Sequence, residues 1–294
     1  MDNFRGAGLM TLAMLCFAIE DMLIKFLAGV LPVGQILALL GAGGGSLIAT
    51  TLLIQGKTLF PRELLTKPVM IRNFGEVIGT VGFVSALVLI PLSTLAAILQ
   101  TTPLIVTLGA ALFLGHHVGW RRWSAILIGF IGVLLIIRPT SEGFDWQVML
   151  AILGVLGLAI RDLATRASTP DMSALQLSLI AMTLIIPTGL ALTWAFDTPL
   201  AMPTPREWGI IAIASVVGAF SYRFIVMAMR VGEISFVTPF RYTRMIFLLI
   251  IAVFVFDESP DALTLIGAAI IIGSGLYALI REHSLQKASR PSSV

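Results

Sequence analysis

Apolar runs separated by charges, prolines and glycines follow one another along the whole chain. They mark out ten segments, near 8–28, 33–54, 72–90, 93–114, 121–138, 148–167, 173–195, 207–229, 234–256 and 262–281. Each approaches the roughly 20 apolar residues that a helix needs to cross a bilayer. Several breaks are only a few residues long, as at Pro91-Leu92-Ser93, which predicts tight helical hairpins. No linker is long enough to hold a soluble domain. The pattern predicts an all-α membrane protein of ten transmembrane helices. Beyond them, 282–294 is rich in Ser, Pro, Lys and Arg and predicts a disordered tail.

Composition strengthens this picture. Of 294 residues, 57% are hydrophobic and 12% charged, against about 25% charged in a soluble domain. The net charge of +3 is spread over segment ends rather than gathered in a patch, so nucleic acid is not an expected partner. The lone Cys16 excludes an internal disulfide, and its apolar surroundings predict a core side chain. Arg5 precedes a long apolar run with no small-residue cleavage site, so the first run reads as a transmembrane helix rather than a removable signal.

Basic residues fix an orientation. One side of the ten segments collects Arg5, Lys57, Arg62, Lys67, Arg72, Arg121, Arg122, Arg230, Arg281, Lys287 and Arg290. The opposite loops hold Arg138 and Arg206, offset by Glu142, Asp145, Asp197, Glu207, Asp257, Glu258 and Asp261. The positive-inside rule then places both termini in the cytoplasm, as expected for an inner-membrane protein.

The chain also repeats itself. Ala18-Ile19-Glu20-Asp21, followed by Lys25, matches Ala159-Ile160-Arg161-Asp162, followed by Arg166, at an offset of 141. Ser93 matches Ser235 and His116 matches Glu258 at an offset of 142, and Gly132 matches Gly273 at 141. This divides the chain into repeats over 1–141 and 142–281. Five spans per repeat is an odd number, so the two copies are inverted relative to each other. Inverted repeats are a transporter architecture, with the substrate site near the midplane where the halves meet.

Each half ends in a Gly-spaced closing helix, Leu127-Ile-Gly-Phe-Ile-Gly-Val-Leu-Leu135 and Leu265-Ile-Gly-Ala-Ala-Ile-Ile-Ile-Gly273. Phe256-Asp-Glu258 looks like the short acidic signature that ends the penultimate helix of an EamA repeat, whereas the first half departs from it with Gly115-His116-His117. Over nearly its whole length the chain resembles the drug/metabolite transporter superfamily, EamA type. Within it, the chain is similar to bacterial inner-membrane amino-acid exporters of the YddG-like group. The resemblance implies ten helices, cytoplasmic termini and a central cavity between the halves.

Candidate chemistry begins at the helix breaks. Pro103 follows Gln100-Thr101-Thr102 midway along the fourth segment and deprives the Leu99 carbonyl of its helical donor. Such a break either exposes backbone to a substrate carboxylate or is a packing kink satisfied by Thr101 or Thr102. Pro187 lacks polar neighbours on both sides and reads as structural. In the ninth segment Pro239 precedes Arg241 and Arg244, three apart on one helix face. At the offset of 142, Arg241, Tyr242, Thr243 and Arg244 fall on Leu99, Gln100, Thr101 and Thr102. One depth is therefore polar in both halves but charged in only one. A charge at mid-membrane costs about 2.5–3.5 kcal/mol and marks a solute path or a buried partner. The two arginines either meet a substrate or are locked to Glu76 or Glu20.

Asp21–Lys25 and Asp162–Arg166 are i,i+4 pairs able to neutralise each other. Glu20 suits a substrate ammonium or a coupled proton, and Arg161 suits a carboxylate, unless each has a partner in the bundle. Glu76, beside Gly75 and Gly79, and Arg223 suggest an ionic gate, paired together or with Arg161 and Arg241. Phe17, Phe83, Tyr222, Phe240 and Tyr242 either stack on the substrate or pack the helices. Gly41 to Ser46 lacks the Gly-Lys-Ser/Thr of a phosphate loop, and Gly41 and Gly45 read as a close helix contact. Adjacent His116 and His117 would diverge by about 100° on a helix, so no metal is expected. No cofactor is expected either. The expected partners are the lipid bilayer, a small-molecule substrate and a proton carried by Glu20 or Glu76.

These features predict a secondary transporter, not an enzyme, that exports amino acids, aromatic or hydrophobic ones among them, and related metabolites. Import of a vitamin or nucleoside-like metabolite is the alternative. An intramembrane enzyme acting on a lipid diphosphate is a third class, disfavoured by the lack of a metal-binding carboxylate cluster.

Overall fold

Without water in a bilayer core, each apolar run must satisfy its own backbone, which leaves the helix as the open-chain solution. The computed structural model describes residues 2–113, 120–138, 145–167, 172–231 and 237–288, and among them every regular element is helical. They are α1 (Asp2–Ala28), α2 (Val33–Ile54), a 3-10 turn (Arg62–Leu65), α3 (Lys67–Leu89), α4 (Leu92–Leu99) and α5 (Thr102–Phe113). Then follow α6 (Trp120–Ile137), α7 (Val148–Ala167), α8 (Ala174–Ala195) and α9 (Pro205–Val231). A second 3-10 turn (Thr238–Tyr242), α10 (Thr243–Phe256) and α11 (Ala262–Ala288) complete them.

Prolines start several helices, where a missing donor costs nothing. Pro32 and Pro91 precede α2 and α4, Pro68 lies in the first turn of α3, and Pro205 opens α9. Pro68 explains why α3 begins five residues before the expected 72. At the other end α11 runs to Ala288, past the expected end at 281, while 289–294 lie outside the described residues.

Eight helical stretches are long and apolar enough to cross a membrane by length and composition, Leu92–Phe113 and Pro239–Phe256 among them. Two shorter apolar stretches, Trp123–Ile137 and Ala262–Tyr277, lie in α6 and α11. The outward faces are apolar too: Leu127, Phe130, Ile131 and Leu134 of α6 and Phe254 of α10 are exposed. A surface of this kind suits lipid rather than water.

Helices pair across the repeat boundary. α1 lies along α9, α3 along α7, α2 along α8 and α6 along α11. Exchanging the two halves turns the first pair into the second and returns the other two onto themselves. The core formed where the halves meet buries Leu87, Leu92, Leu95, Ile98, Leu248 and Ile271. α3 and α7 approach closely at their glycines, where a Cβ added to Gly157 would collide with the Gly79 nitrogen. A Cβ on Gly41 would meet the Met182 carbonyl of α8 at 2.8 Å, so this glycine serves helix contact.

Both predicted breaks are present and built alike. Thr101 and Thr102 donate their hydroxyls to the Ile98 and Leu99 carbonyls, each at 2.7 Å. In the second half Thr243 donates to the Phe240 carbonyl at 2.6 Å. Thr101/Ile98 and Thr243/Phe240 are related by the same offset of 142. Of the two readings of the first break, this geometry gives the satisfied kink, because the Leu99 carbonyl freed by Pro103 is taken by Thr102.

Candidate functional site

Two ion-paired groups gather side chains from α1, α3, α7 and α10 in otherwise apolar helices. Asp21 accepts from the Arg244 guanidinium at 2.6 and 3.2 Å. That guanidinium lies over the rings of Phe17, at 5.1 Å, and Phe83, at 5.5 Å. Tyr222 of α9 meets Phe17 edge-on at 5.5 Å. It stands within electrostatic reach of Glu20, Glu76, Arg161 and Arg72, which joins this group to the next. Glu76 is buried between Arg72, at 3.0 Å, and Arg161, at 3.5 Å. Arg161 also holds its neighbour Asp162 at 2.8 Å.

Four arginines and four carboxylates thus share this centre, and two of them stand apart. Glu20 makes no hydrogen bond or ion pair with any described residue; its carboxylate lies against α9, where a Cβ on Gly218 would meet Oε1 at 2.4 Å. Arg241 likewise makes none, and its electrostatic neighbours are Asp162, Arg161, Arg244 and Tyr242. Phe17, Glu20, Phe83, Tyr222, Arg241 and Arg244 are all only half-buried, so the centre keeps accessible surface between the helices.

The structure corrects several sequence-based pairings. Asp21 and Lys25 do not pair: Asp21 faces α10, and Lys25 pairs with Glu258 at 3.2 Å. Arg223 is exposed and forms no ion pair among the described residues, so it is no partner of Glu76. Neither Arg241 nor Arg244 is locked to Glu20 or Glu76. Tyr242 turns away, buried with its hydroxyl against Gly275 of α11, and Phe240 joins an apolar cluster with Met10, Met14 and Val237. Gln100 is buried, and the Thr101 and Thr102 hydroxyls are occupied by the backbone. His116 and His117 lie outside the described residues, and the Asp162–Arg166 pairing turns on the Arg166 side chain, which is likewise not described.

A second cluster, which sequence reading missed, closes one end of the bundle. Glu258 accepts from the Leu92 nitrogen at 2.6 Å, the Ser93 nitrogen at 2.9 Å and the Ser93 hydroxyl at 2.8 Å, capping α4 from across the repeat boundary. Lys25 adds its ion pair and donates to the Ile90 carbonyl at 3.0 Å. Partial burial pushes the Glu258 carboxyl up, but the Ser93 and Leu92 donors and Lys25 outweigh it and hold the group below its ordinary value. Arg72 was also missed as a site residue; its i,i+4 spacing to Glu76 was the available signal.

The model of the EamA-like transporter family matches this chain twice, over residues 4–138 and 145–280. The chain belongs to the EamA-like transporter family. As an EamA protein with these apolar helices it is a multi-pass membrane protein and a transporter of small molecules. Among its relatives are a riboflavin transporter of Rhizobium johnstonii, 27% identical over 80% of this chain and 75% of its own. An S-adenosylmethionine uptake transporter of Rickettsia prowazekii is 25% identical over 73% of this chain and 72% of its own. The pseudopaline exporter CntI of Pseudomonas aeruginosa is 26% identical over 91% and 93%. A crystal structure 18% identical, with a TM-score of 0.61 over 96% of this chain and 99% of its own, has the same fold.

Proposed function

We propose that this EamA protein is a secondary transporter that works by alternating access. It has ten membrane-crossing segments in two inverted halves and both termini in the cytoplasm of a bacterial-type inner membrane. The observation that carries this reading is the central charged cluster. Side chains from α1, α3, α7, α9 and α10, drawn from both halves, converge where the helices are otherwise apolar, and they keep accessible surface. Charges held at such depth are costly and belong on a solute path or in buried pairs; here six are paired, while Glu20 and Arg241 have no partner among the described residues.

The solute is a small organic metabolite bearing an amino-acid-like pair of charges, with Phe17, Phe83 and Tyr222 beside its apolar part. One reading is an amino acid moved outward. A second is a nucleoside-linked amino acid moved inward, and it is favoured by the Rickettsia relative, whose named substrate joins methionine to a nucleoside. Lys25, Glu258 and Ser93 close the non-cytoplasmic mouth. The test is flux into proteoliposomes of labelled amino acids, S-adenosylmethionine and riboflavin. Saturable movement of one of them supports the reading, and chemical conversion of a lipid without solute flux refutes it.

A further inference from the structure

Among the described residues, Arg241 is the cation of the central cluster that has no partner. Arg72, Arg161 and Arg244 each hold a carboxylate at 3.0, 2.8 and 2.6 Å. Arg241 forms no ion pair or hydrogen bond with a described residue. Its surroundings deepen the imbalance. Two of its charged neighbours, Arg161 and Arg244, are like-charged. The described carboxylate that acts on it, Asp162, is already engaged by Arg161.

A guanidinium cannot shed its proton to relieve this, so it stays charged. An unpaired charge inside a protein is expensive, and bidentate pairing with a carboxylate or phosphate is the interaction that best offsets it. Its position favours access as well. It stands on the 3-10 turn Thr238–Tyr242 that interrupts the segment before α10, and it remains only half-buried. The repeat-related position in the first half is Leu99, so this demand for an anion exists in one half only.

We infer that Arg241 is the anion-recognition group of the chamber, and that the transported solute presents a carboxylate or a phosphate to it. This rests on the transporter reading above and narrows its substrate class: anionic and zwitterionic metabolites bind, and uncharged analogues do not.

Two matched probe pairs test it on the purified full chain. S-adenosylmethionine and its decarboxylated form differ in one carboxylate; riboflavin phosphate and riboflavin differ in one phosphate. In equilibrium binding and in proteoliposome flux, the member of at least one pair that carries the carboxylate or phosphate should bind about tenfold or more tightly than the member that lacks it. Which pair responds tells carboxylate from phosphate. Arg241→Gln should erase that preference while retaining the thermal stability and elution profile of the parent, and Arg241→Lys should restore part of it. Equal binding within both pairs, or a preference that survives Arg241→Gln, overturns the inference. Flux of riboflavin that is indifferent to Arg241→Gln overturns it too, yet leaves the transporter reading standing. Absence of binding and flux for all four probes overturns both.

Discussion

Glu20 and Asp21 are adjacent and both lie near Arg244, yet only Asp21 is paired with it. Successive helical side chains diverge by about 100°, so Asp21 reaches α10 and Arg244, while Glu20 reaches α9 and the bare backbone at Gly218. Asp21→Asn takes the buried carboxylate from a half-buried guanidinium, and breaking a buried pair costs up to about 3–5 kcal/mol. The melting temperature in detergent should therefore fall clearly, with part recovered by adding Arg244→Met. Glu20→Gln removes no ion pair and should leave the melting temperature nearly unchanged. Protonating Asp21 or Glu76 would forfeit an arginine partner, whereas protonating Glu20 forfeits none. The proposed proton coupling should consequently be lost in Glu20→Gln, whose flux should no longer respond to an imposed pH gradient. The sequence made these charges visible but not their partners. The i,i+4 rule found Arg72–Glu76 in retrospect and misassigned Asp21–Lys25, because in a bundle the neighbouring helix competes with the next turn of the same one.

At the scale of elements, helix ends and crossings carry the information. The first-turn donors of α4 are met by a carboxylate from beyond α10, a favourable placement for a negative charge at a helix N-terminus. Because the Glu258 carboxyl is held below its ordinary value, its contribution is complete above the unfolded-state value and is lost only as pH falls through the lowered one. Labelling of a Ser93→Cys reporter from the face that the proposed orientation makes non-cytoplasmic should thus be slow and insensitive to pH from about 6 to 8. Adding Glu258→Ala should make it several-fold faster. At the α3–α7 crossing, Gly157→Val places a side chain where 2.2 Å separates the new Cβ from the Gly79 nitrogen. Folded yield should collapse, whereas the same change at Gly209, which has nothing within 4 Å, should be tolerated. Helix positions and both proline breaks were legible because bilayer thickness and a missing donor act locally. The cap on α4 was not, since its acceptor lies 166 residues away.

For the whole molecule, the internal repeat proved the most informative sequence feature. It foreshadowed the exchange-symmetric pairing of α1 with α9 and α3 with α7, and the matching threonine bonds at the two breaks. The proposed orientation has a direct check: epitope tags at both ends should be reached by antibody only after the cytoplasmic membrane is opened. The repeat also shows where the halves part company. The cluster of Lys25, Ser93 and Glu258 corresponds in sequence to Arg166, Ser235 and His116, so a carboxylate in one set is an imidazole in the other. In the proposed alternating-access cycle, ends that differ in sequence in this way would give the two closed forms unequal free energies, and the unloaded carrier would then idle mostly facing one way. Half-saturation concentrations measured from the two faces will consequently differ even when nothing drives transport. In that passive case the maximal rates must differ in the same proportion, so that their quotients agree and no net flow arises at equal concentrations.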